Sequence, residues 1–363
     1  MNILITNIWL LNFGGTEVYV RDLAKALLSL GHQIEIYSPH LGIVSRELTE
    51  SGIHVTDSVD QLLLIPEIIH GHHTKPTLDV INKFPSVPVI YFLHDRLHPE
   101  DTPPVHQNII QYVAVDYNCL DRLIHDAQIP PDQCTVIYNW VDTSRFKLRN
   151  HIADKPVKAL VFSNYANKRN HYNTIKAACD ETGITVRGIG NEFGNGIRFP
   201  EHILIEYDIV FAKAKAAMEA LATGAAVILC DFRGLGEMVV PEKFDYYRQF
   251  NFGMKTLVRP IKKKLIIEEI KKYDPKKVFQ SADLVHQHAH FGLSLDKIIQ
   301  LYITTIQKYK EGIRNEYQGR IDHTEKEKAR NIKSFGIKKF GSKLNKLLGN
   351  PIASFRRKIS RTI

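Results

Sequence analysis

The chain has 363 residues, of which 44% are hydrophobic, and this length and apolar content predict two domains. Its four cysteines form no CxxC pair, which argues against a zinc site or a disulfide framework and for a reducing compartment. The net charge of +9 comes from residues 328–363, which hold 11 basic and no acidic residues. Residues 1–327, with 37 basic and 39 acidic groups, therefore do not resemble a nucleic-acid-binding core.

The N-terminal sequence, MNILITNIWLLNFGGTE, lacks the basic region and the small-residue cleavage site of a signal peptide. No uninterrupted apolar stretch approaches the roughly 20 residues that a transmembrane helix needs. We therefore expect the bulk of the protein to be cytoplasmic.

Apolar runs alternate with helical patterns along the first 146 residues. The segment TEVYVRDLAKALLSLG predicts a helix with Thr16 as its N-cap and Gly31 at its end. Predicted strands lie at 2–6, 33–38, 67–73, 87–94, 111–116 and 134–139. Strands that are this uniformly apolar and that alternate with helices indicate a doubly wound parallel sheet.

A polar segment at 147–158 predicts a linker, and the alternation then restarts. Strands are expected at 159–163 and 184–190, a helix at 170–183, and a strand–helix–strand unit at 208–231. The fold class predicted is α/β, with two Rossmann-like halves at 1–148 and 149–294, a helix at 295–317 and a tail at 318–363.

The basic tail has the pattern of an amphipathic helix. At 100° per residue, five apolar side chains share an arc of about 100° and four lysines lie outside it. The apolar residues are Ile337, Phe340, Leu344, Leu347 and Leu348. This pattern predicts a helix on an anionic membrane surface; a basic tail without a partner is the alternative.

Ligands of parallel α/β sheets bind beyond the carboxyl ends of the strands, so the residues there are the candidates for a site. They are Asn12, Gly14, Gly15, His70, His72, His73, His94 and Asp95 in the first half, and 163–169, Gly190, Lys213 and Lys215 in the second. Neither GxGxxG nor GxxxxGK is present, which argues against a nicotinamide cofactor or a P-loop. Adjacent histidines without nearby cysteines or acids do not predict a metal site.

Two lysines stand at the start of the helix in the 208–231 unit, and one acid, Glu219, lies inside it. A helix N-terminus attracts anions, and Lys213 and Lys215 would add charge for a ligand such as a diphosphate. The alternative is a solvated first turn with a surface carboxylate.

Several segments resemble the GT-B glycosyltransferases, in particular the retaining group that includes sucrose-phosphate synthases and many bacterial polysaccharide transferases. The resemblance covers roughly residues 1–310. NFGGTEVYVRDLAKALLSLGHQIEIYS resembles the family's glycine-rich acceptor loop and first helix, and IIHGHH and YFLHD resemble its histidine-bearing strand ends. VIYNWVDTSRF is similar to VIPNGVDxxxF, SNYANKRNHYNTIKAA to GRLxxxKGxxxLIxAA, and MEALATGAAVILCDFRGLGEMV to LEAMAxGxPVVASDxGGxPEIV.

The resemblance implies a role for each matched residue. Glu219 matches the glutamate that binds the ribose hydroxyls, and Arg169 matches the lysine that contacts the diphosphate. Asn164 stands where the family has arginine, so Lys168 is expected to supply that charge. Phe211 replaces the family's glutamate that contacts the donor sugar.

The implied site uses no metal and no cofactor, because the nucleotide sugar is a substrate. Arg169, Lys213 and the helix N–H groups would meet the charge of the leaving diphosphate, and His94 would hydrogen-bond the transferred sugar. The donor site expected is Asn164, Lys168, Arg169, Gly190, Lys213, Lys215 and Glu219. The acceptor site expected is Gly14, Gly15, Thr16, His72 and His94.

The function expected is transfer of a sugar from a nucleotide-sugar donor to a saccharide or lipid-linked saccharide at the cytoplasmic face of the membrane. The helix expected at 295–317 would pack back across the cleft, as in the family. Two alternatives remain open: a GT-B-fold nucleotide-sugar epimerase, and a non-catalytic sugar-nucleotide sensor or scaffold, which the phenylalanine at position 211 motivates.

Overall fold

The structure, a computed structural model, describes residues 1–312. Met1–Ile306 form one compact unit. The predicted membrane helix of the basic tail lies outside the described residues.

A parallel sheet of seven strands organises the first half of the chain. Its strands are β1 (Asn2–Thr6), β3 (Gln33–Tyr37), β5 (His54–Thr56), β6 (Ile68–His72), β7 (Val89–Leu93), β8 (Ile109–Ala114) and β9 (Cys134–Val136). The order is β5-β3-β1-β6-β7-β8-β9, so the strand order reverses between β1 and β6. All five residues of β7 are buried, as expected for a parallel sheet covered on both faces.

Helices on both faces of this sheet complete the first half. They are α1 (Gly15–Ser29), α2 (Ile43–Glu50), α3 (Thr74–Lys83) and α4 (Tyr117–Asp121). A small parallel pair, β2 (Trp9–Leu10) and β4 (His40–Leu41), lies beside the loop that precedes α1.

The second half contains a five-stranded sheet. Its strands are β10 (Lys158–Phe162), β11 (Thr185–Ile189), β12 (Ile209–Ala212), β13 (Ala226–Asp231) and β14 (Gly234–Met238). The order is β11-β10-β12-β13-β14, and β14 is antiparallel to β13. The strand order reverses between β10 and β12. The antiparallel edge strand β14 is absent from the prediction.

Six helices belong to the second half, and a further helix returns to the first half. The six are α5 (Tyr172–Glu181), α6 (Glu201–Leu204), α7 (Ala214–Ala222), α8 (Phe244–Gln249), α9 (Lys263–Ile270) and α10 (Pro275–His288). The seventh, α11, begins at residue 291 and is described to residue 312. Its Ile298 and Tyr302 are fully buried in the core of the first half.

The start of α1 differs from the prediction. Thr16 is not the N-cap; the helix begins at Gly15, and Gly14 occupies the cap position. The carboxylate of Glu17 accepts a hydrogen bond from the N–H of Gly14 at 2.7 Å. A glutamate at the third helical position therefore replaces the hydroxyl cap that the sequence suggested.

Among the described residues, no helix is long and apolar enough to cross a membrane.

Candidate functional site

The candidate site consists of loops at the carboxyl ends of the strands beside the point where the strand order of each sheet reverses. In the first half these loops follow β1, β6 and β7, and in the second half they follow β10 and β12. Open α/β sheets bind their ligands at such points.

The glycine loop before α1 is held by an internal carboxylate. Glu17 accepts hydrogen bonds from the N–H groups of Asn12 at 2.9 Å and Gly14 at 2.7 Å. A Cβ on Gly14 would lie 2.0 Å from Glu17 Oε2, so this contact requires glycine, whereas Gly15 borders open space. Two of the N–H groups that could meet a ligand are thus already bonded. Glu17 was not predicted as a site residue, although its spacing from the cap is informative.

Three histidines converge where β6 and β7 end. His94 Nε2 lies 2.9 Å from His72 Nδ1, and His70 Nδ1 lies 2.6 Å from the hydroxyl of Tyr302 on α11. His70 and His72 are fully buried, and His94 is half-buried. Burial lowers the pKa of His70 and His72 well below the usual range, and burial together with the charge of His73 lowers the pKa of His94 to about 3. All three rings are therefore neutral at pH 7.

Two aromatic side chains complete this group, which we call the histidine cluster: His70, His72, His94, Tyr19 and Trp140. The Tyr19 ring lies 4.6 Å from that of His94 and 4.1 Å from that of Trp140. Four buried polar atoms of the cluster have no hydrogen-bond partner among the described residues: Tyr19 Oη, Trp140 Nε1, His70 Nε2 and His72 Nε2. Buried groups of this kind are normally satisfied by water or a ligand.

Lys213 stands between β12 and α7, as predicted, but its ammonium group is paired inside the protein. Lys213 Nζ forms a close ion pair with Asp231, which is fully buried at the end of β13, and lies 5.3 Å from the ring centre of Tyr165. The next residue, Ala214, has a φ of +51°, which L-residues rarely adopt. Backbone strain of this kind clusters at functional sites.

Lys215 joins the two halves of the chain. Its Nζ lies 3.5 Å from Asp22 Oδ2 on α1 and 3.8 Å from Glu219 Oε1 one turn along α7. Burial raises the pKa of Glu219 to about 7, although the charge of Lys215 opposes this rise. We call Lys213, Lys215, Glu219, Asp231 and Asp22 the charged cluster.

The loop after β10 carries the exposed cations of the site. Lys168 and Arg169 are both exposed, and neither forms an ion pair within the described part of the chain. Asn164 Oδ1 accepts a hydrogen bond from the N–H of Asn191 at 3.2 Å. Gly190 has a φ of +150°, and a Cβ there would lie 2.0 Å from the carbonyl oxygen of Ser163, so the close approach of the two loops requires glycine.

Phe211 lies inside β12 and is buried with the core between the sheet and α5. The position therefore offers no polar group to a sugar. Within residues 1–312, no group of three or more His, Cys, Asp or Glu side chains is arranged to hold a metal ion.

The fold of these two sheets is the GT-B fold of known glycosyltransferases, as the sequence resemblance predicted. Residues 13–145 match the family model of Glycosyltransferase Family 4.

Solved structures with this fold are similar to nearly the whole described chain. HepE from Anabaena in complex with UDP has a TM-score of 0.63 and 13% identity, covering 84% of this chain and 100% of that chain. A glycosyltransferase from Rickettsia africae ESF-5 has a TM-score of 0.61 and 14% identity over 84% and 98%. Sucrose-phosphate synthase from Thermosynechococcus elongatus has a TM-score of 0.55 and 13% identity over 84% and 98%.

No curated protein matches the sequence significantly.

Proposed function

We propose that the protein transfers a sugar from a nucleotide-sugar donor to a saccharide or lipid-linked saccharide acceptor. The observation that carries the proposal is the charged cluster at the end of β12 in a GT-B fold. The match to Glycosyltransferase Family 4 and the description of HepE in complex with UDP-glucose support it.

The donor diphosphate is proposed to bind at the loop after β10 and the N-terminus of α7. Lys168 and Arg169 are exposed and unpaired among the described residues, so they can meet a ligand without losing an internal partner. Lys213 and Lys215 already neutralise Asp231 and Asp22. Arg169 is therefore the main diphosphate contact, because guanidinium groups bind phosphate oxygens in a bidentate manner.

Glu219 is proposed to accept hydrogen bonds from the ribose hydroxyls. It is nearly buried, and its pKa of about 7 means that it is only partly ionised at neutral pH. Two hydroxyl donors would favour the carboxylate, because hydrogen bonds to the charged form lower a pKa.

His94 is proposed to bind a hydroxyl of the transferred sugar. In the reaction the bond between the anomeric carbon and the diphosphate oxygen breaks, and the acceptor hydroxyl oxygen forms the new bond and gives its proton to the leaving diphosphate. Arg169 and the N–H groups of α7 stabilise the negative charge on the leaving diphosphate. The resemblance to the retaining group supports retention at the anomeric carbon and a reaction without a metal.

Thermal shifts with a panel of nucleoside diphosphates and nucleotide sugars test this proposal. A ligand at 100 times its dissociation constant stabilises the folded state by about 2.7 kcal/mol. We expect one nucleotide to raise the Tm, Glu219→Gln to weaken this effect, and the exposed control Glu206→Gln to leave it unchanged. No shift with any nucleotide would contradict the proposal.

A non-catalytic sugar-nucleotide sensor is the second candidate, because Phe211 leaves the site without the acid that the family places near the donor sugar. Nucleotide binding without transfer to any acceptor would favour the sensor. Turnover of the nucleotide sugar without an acceptor would favour an epimerase.

The basic tail is proposed to bring the enzyme to the cytoplasmic face of an anionic membrane, where a lipid-linked acceptor would lie. Each basic residue near such a surface contributes about 1 kcal/mol. Truncation after Tyr317 should abolish sedimentation with anionic vesicles and leave nucleotide binding intact. Equal sedimentation of the intact and truncated chains would rule out this role.

A further inference from the structure

His72 lies directly behind His94, and its own position is fixed by the backbone around it. Its N–H donates to Thr6 Oγ1 at 3.0 Å, and its carbonyl oxygen accepts from the same hydroxyl at 3.2 Å. Thr77 Oγ1 also donates to that carbonyl at 3.3 Å. Since His72 is fully buried, it cannot touch a ligand in the cleft in this conformation.

The contact between the two imidazoles leaves His94 one free ring nitrogen. His94 Nε2 is 2.9 Å from His72 Nδ1, so one of these nitrogens donates and the other accepts. In a neutral imidazole the two nitrogens have opposite roles. The direction of this one hydrogen bond therefore decides whether His94 Nδ1 donates to a ligand or accepts from it.

Ring packing restricts His94 from two further sides. Tyr19 makes an edge contact with it at 4.6 Å, and Phe92 lies parallel to it at 6.4 Å. Neither of these rings provides a hydrogen bond to His94. Among the described residues, the hydrogen bond that fixes how the His94 imidazole is turned therefore comes from His72.

We propose that His72 is a positioning residue, which holds the His94 imidazole in the orientation and tautomer that bind the transferred sugar. The inference rests on the proposed function and assigns His72 a place behind the site. It explains why a buried strand residue with an unpartnered Nε2 is a histidine.

Matched substitutions separate this role from packing. The side-chain amide of asparagine reaches the position of histidine Nδ1, whereas that of glutamine reaches the position of Nε2. We expect His72→Asn to keep kcat within about threefold, and His72→Gln and His72→Phe to lose about tenfold in kcat. The Kd for the nucleotide should stay unchanged in all three.

Equal kcat values for the folded Asn and Gln variants, or a loss of nucleotide affinity that parallels the loss of kcat, would overturn the proposal. Imidazole ¹⁵N NMR of the intact protein provides a readout that needs no turnover. We expect one neutral tautomer of His94 in the wild type and a mixture in His72→Phe. An unchanged tautomer in His72→Phe would overturn the inference, whereas a protein without transferase activity would overturn the proposed function alone.

Discussion

The histidine cluster in the first half of the chain differs from the charged cluster in how its buried polar groups are satisfied. The charged cluster lies on α7 and β13 and reaches Asp22 on α1. In the histidine cluster, burial lowers the pKa of each of the three imidazoles, and four polar atoms lack partners among the described residues. In the charged cluster, Lys213 pairs with Asp231, and Lys215 pairs with Asp22 and Glu219.

The difference indicates which part of a nucleotide sugar each cluster suits. The neutral imidazole of the half-buried His94 would suit a sugar hydroxyl, which carries no charge. A cluster of paired charges can exchange an internal partner for a phosphate or a ribose. Binding of a diphosphate to Lys215 would cost its contact with Asp22, which joins α1 and α7.

Loss of the exposed guanidinium group of Arg169 should have the largest effect on activity. Arg169→Ala should lower kcat/KM about 100-fold, because one contact to a developing charge is typically worth about 3 kcal/mol. Affinity for the nucleoside alone should not change. Arg187→Ala, an exposed arginine on β11, is the matched control. Equal losses for nucleoside and nucleoside diphosphate would remove Arg169 from the phosphate site.

The pH dependence of Glu219 should have opposite signs for binding and stability. Its pKa is raised from 4.5 to about 7 by burial, so the folded state binds the proton more tightly than the unfolded state. Stability should therefore be lost as the pH rises from about 4.5 to 7, by up to about 3 kcal/mol, and Glu219→Gln should remove this contribution.

Nucleotide affinity should instead rise through pH 7, as the carboxylate proposed to bind the ribose ionises. Calorimetric titrations at pH 6 and pH 8 measure this, with Glu206→Gln as the control. A pH-independent Kd in the wild type would contradict the assignment of Glu219.

The smallest effect is expected from a substitution of Asp22, the ion-pair partner of Lys215 on α1. Asp22→Asn should free the ammonium group for the diphosphate and tighten nucleoside diphosphate binding a few-fold, because ion pairs near the surface are worth up to about 1 kcal/mol. Nucleoside binding should stay the same. Weaker diphosphate binding would mean that Asp22 holds Lys215 in its binding position.

Most strands of the two main sheets could be predicted from the sequence because their signal is local, whereas the short strands β2, β4 and β5 were not predicted. The run at residues 2–6 became β1 with the same bounds, since an uninterrupted apolar stretch must be buried on both faces. Strand β14 was missed because GLGEM is not an apolar run, and its pairing with β13 depends on a tertiary contact.

The candidate site was only partly predictable, since its decisive contacts join distant residues. The position of Lys213 at the start of a helix could be read from the sequence, but its ion pair with Asp231 could not. In the same way, His72 and His94 were both singled out, whereas their mutual contact depends on the neighbouring positions of β6 and β7. Tyr302 reaches His70 from α11, more than 200 positions along the chain.

A crystal structure of the protein with the nucleoside diphosphate that gives the largest thermal shift is the most direct test of where the nucleotide and the sugar bind. We expect the diphosphate at Arg169 and the N-terminus of α7, the ribose at Glu219, and a path for the sugar toward His94. A nucleotide bound at the histidine cluster, with Arg169 and Glu219 free of ligand, would contradict it.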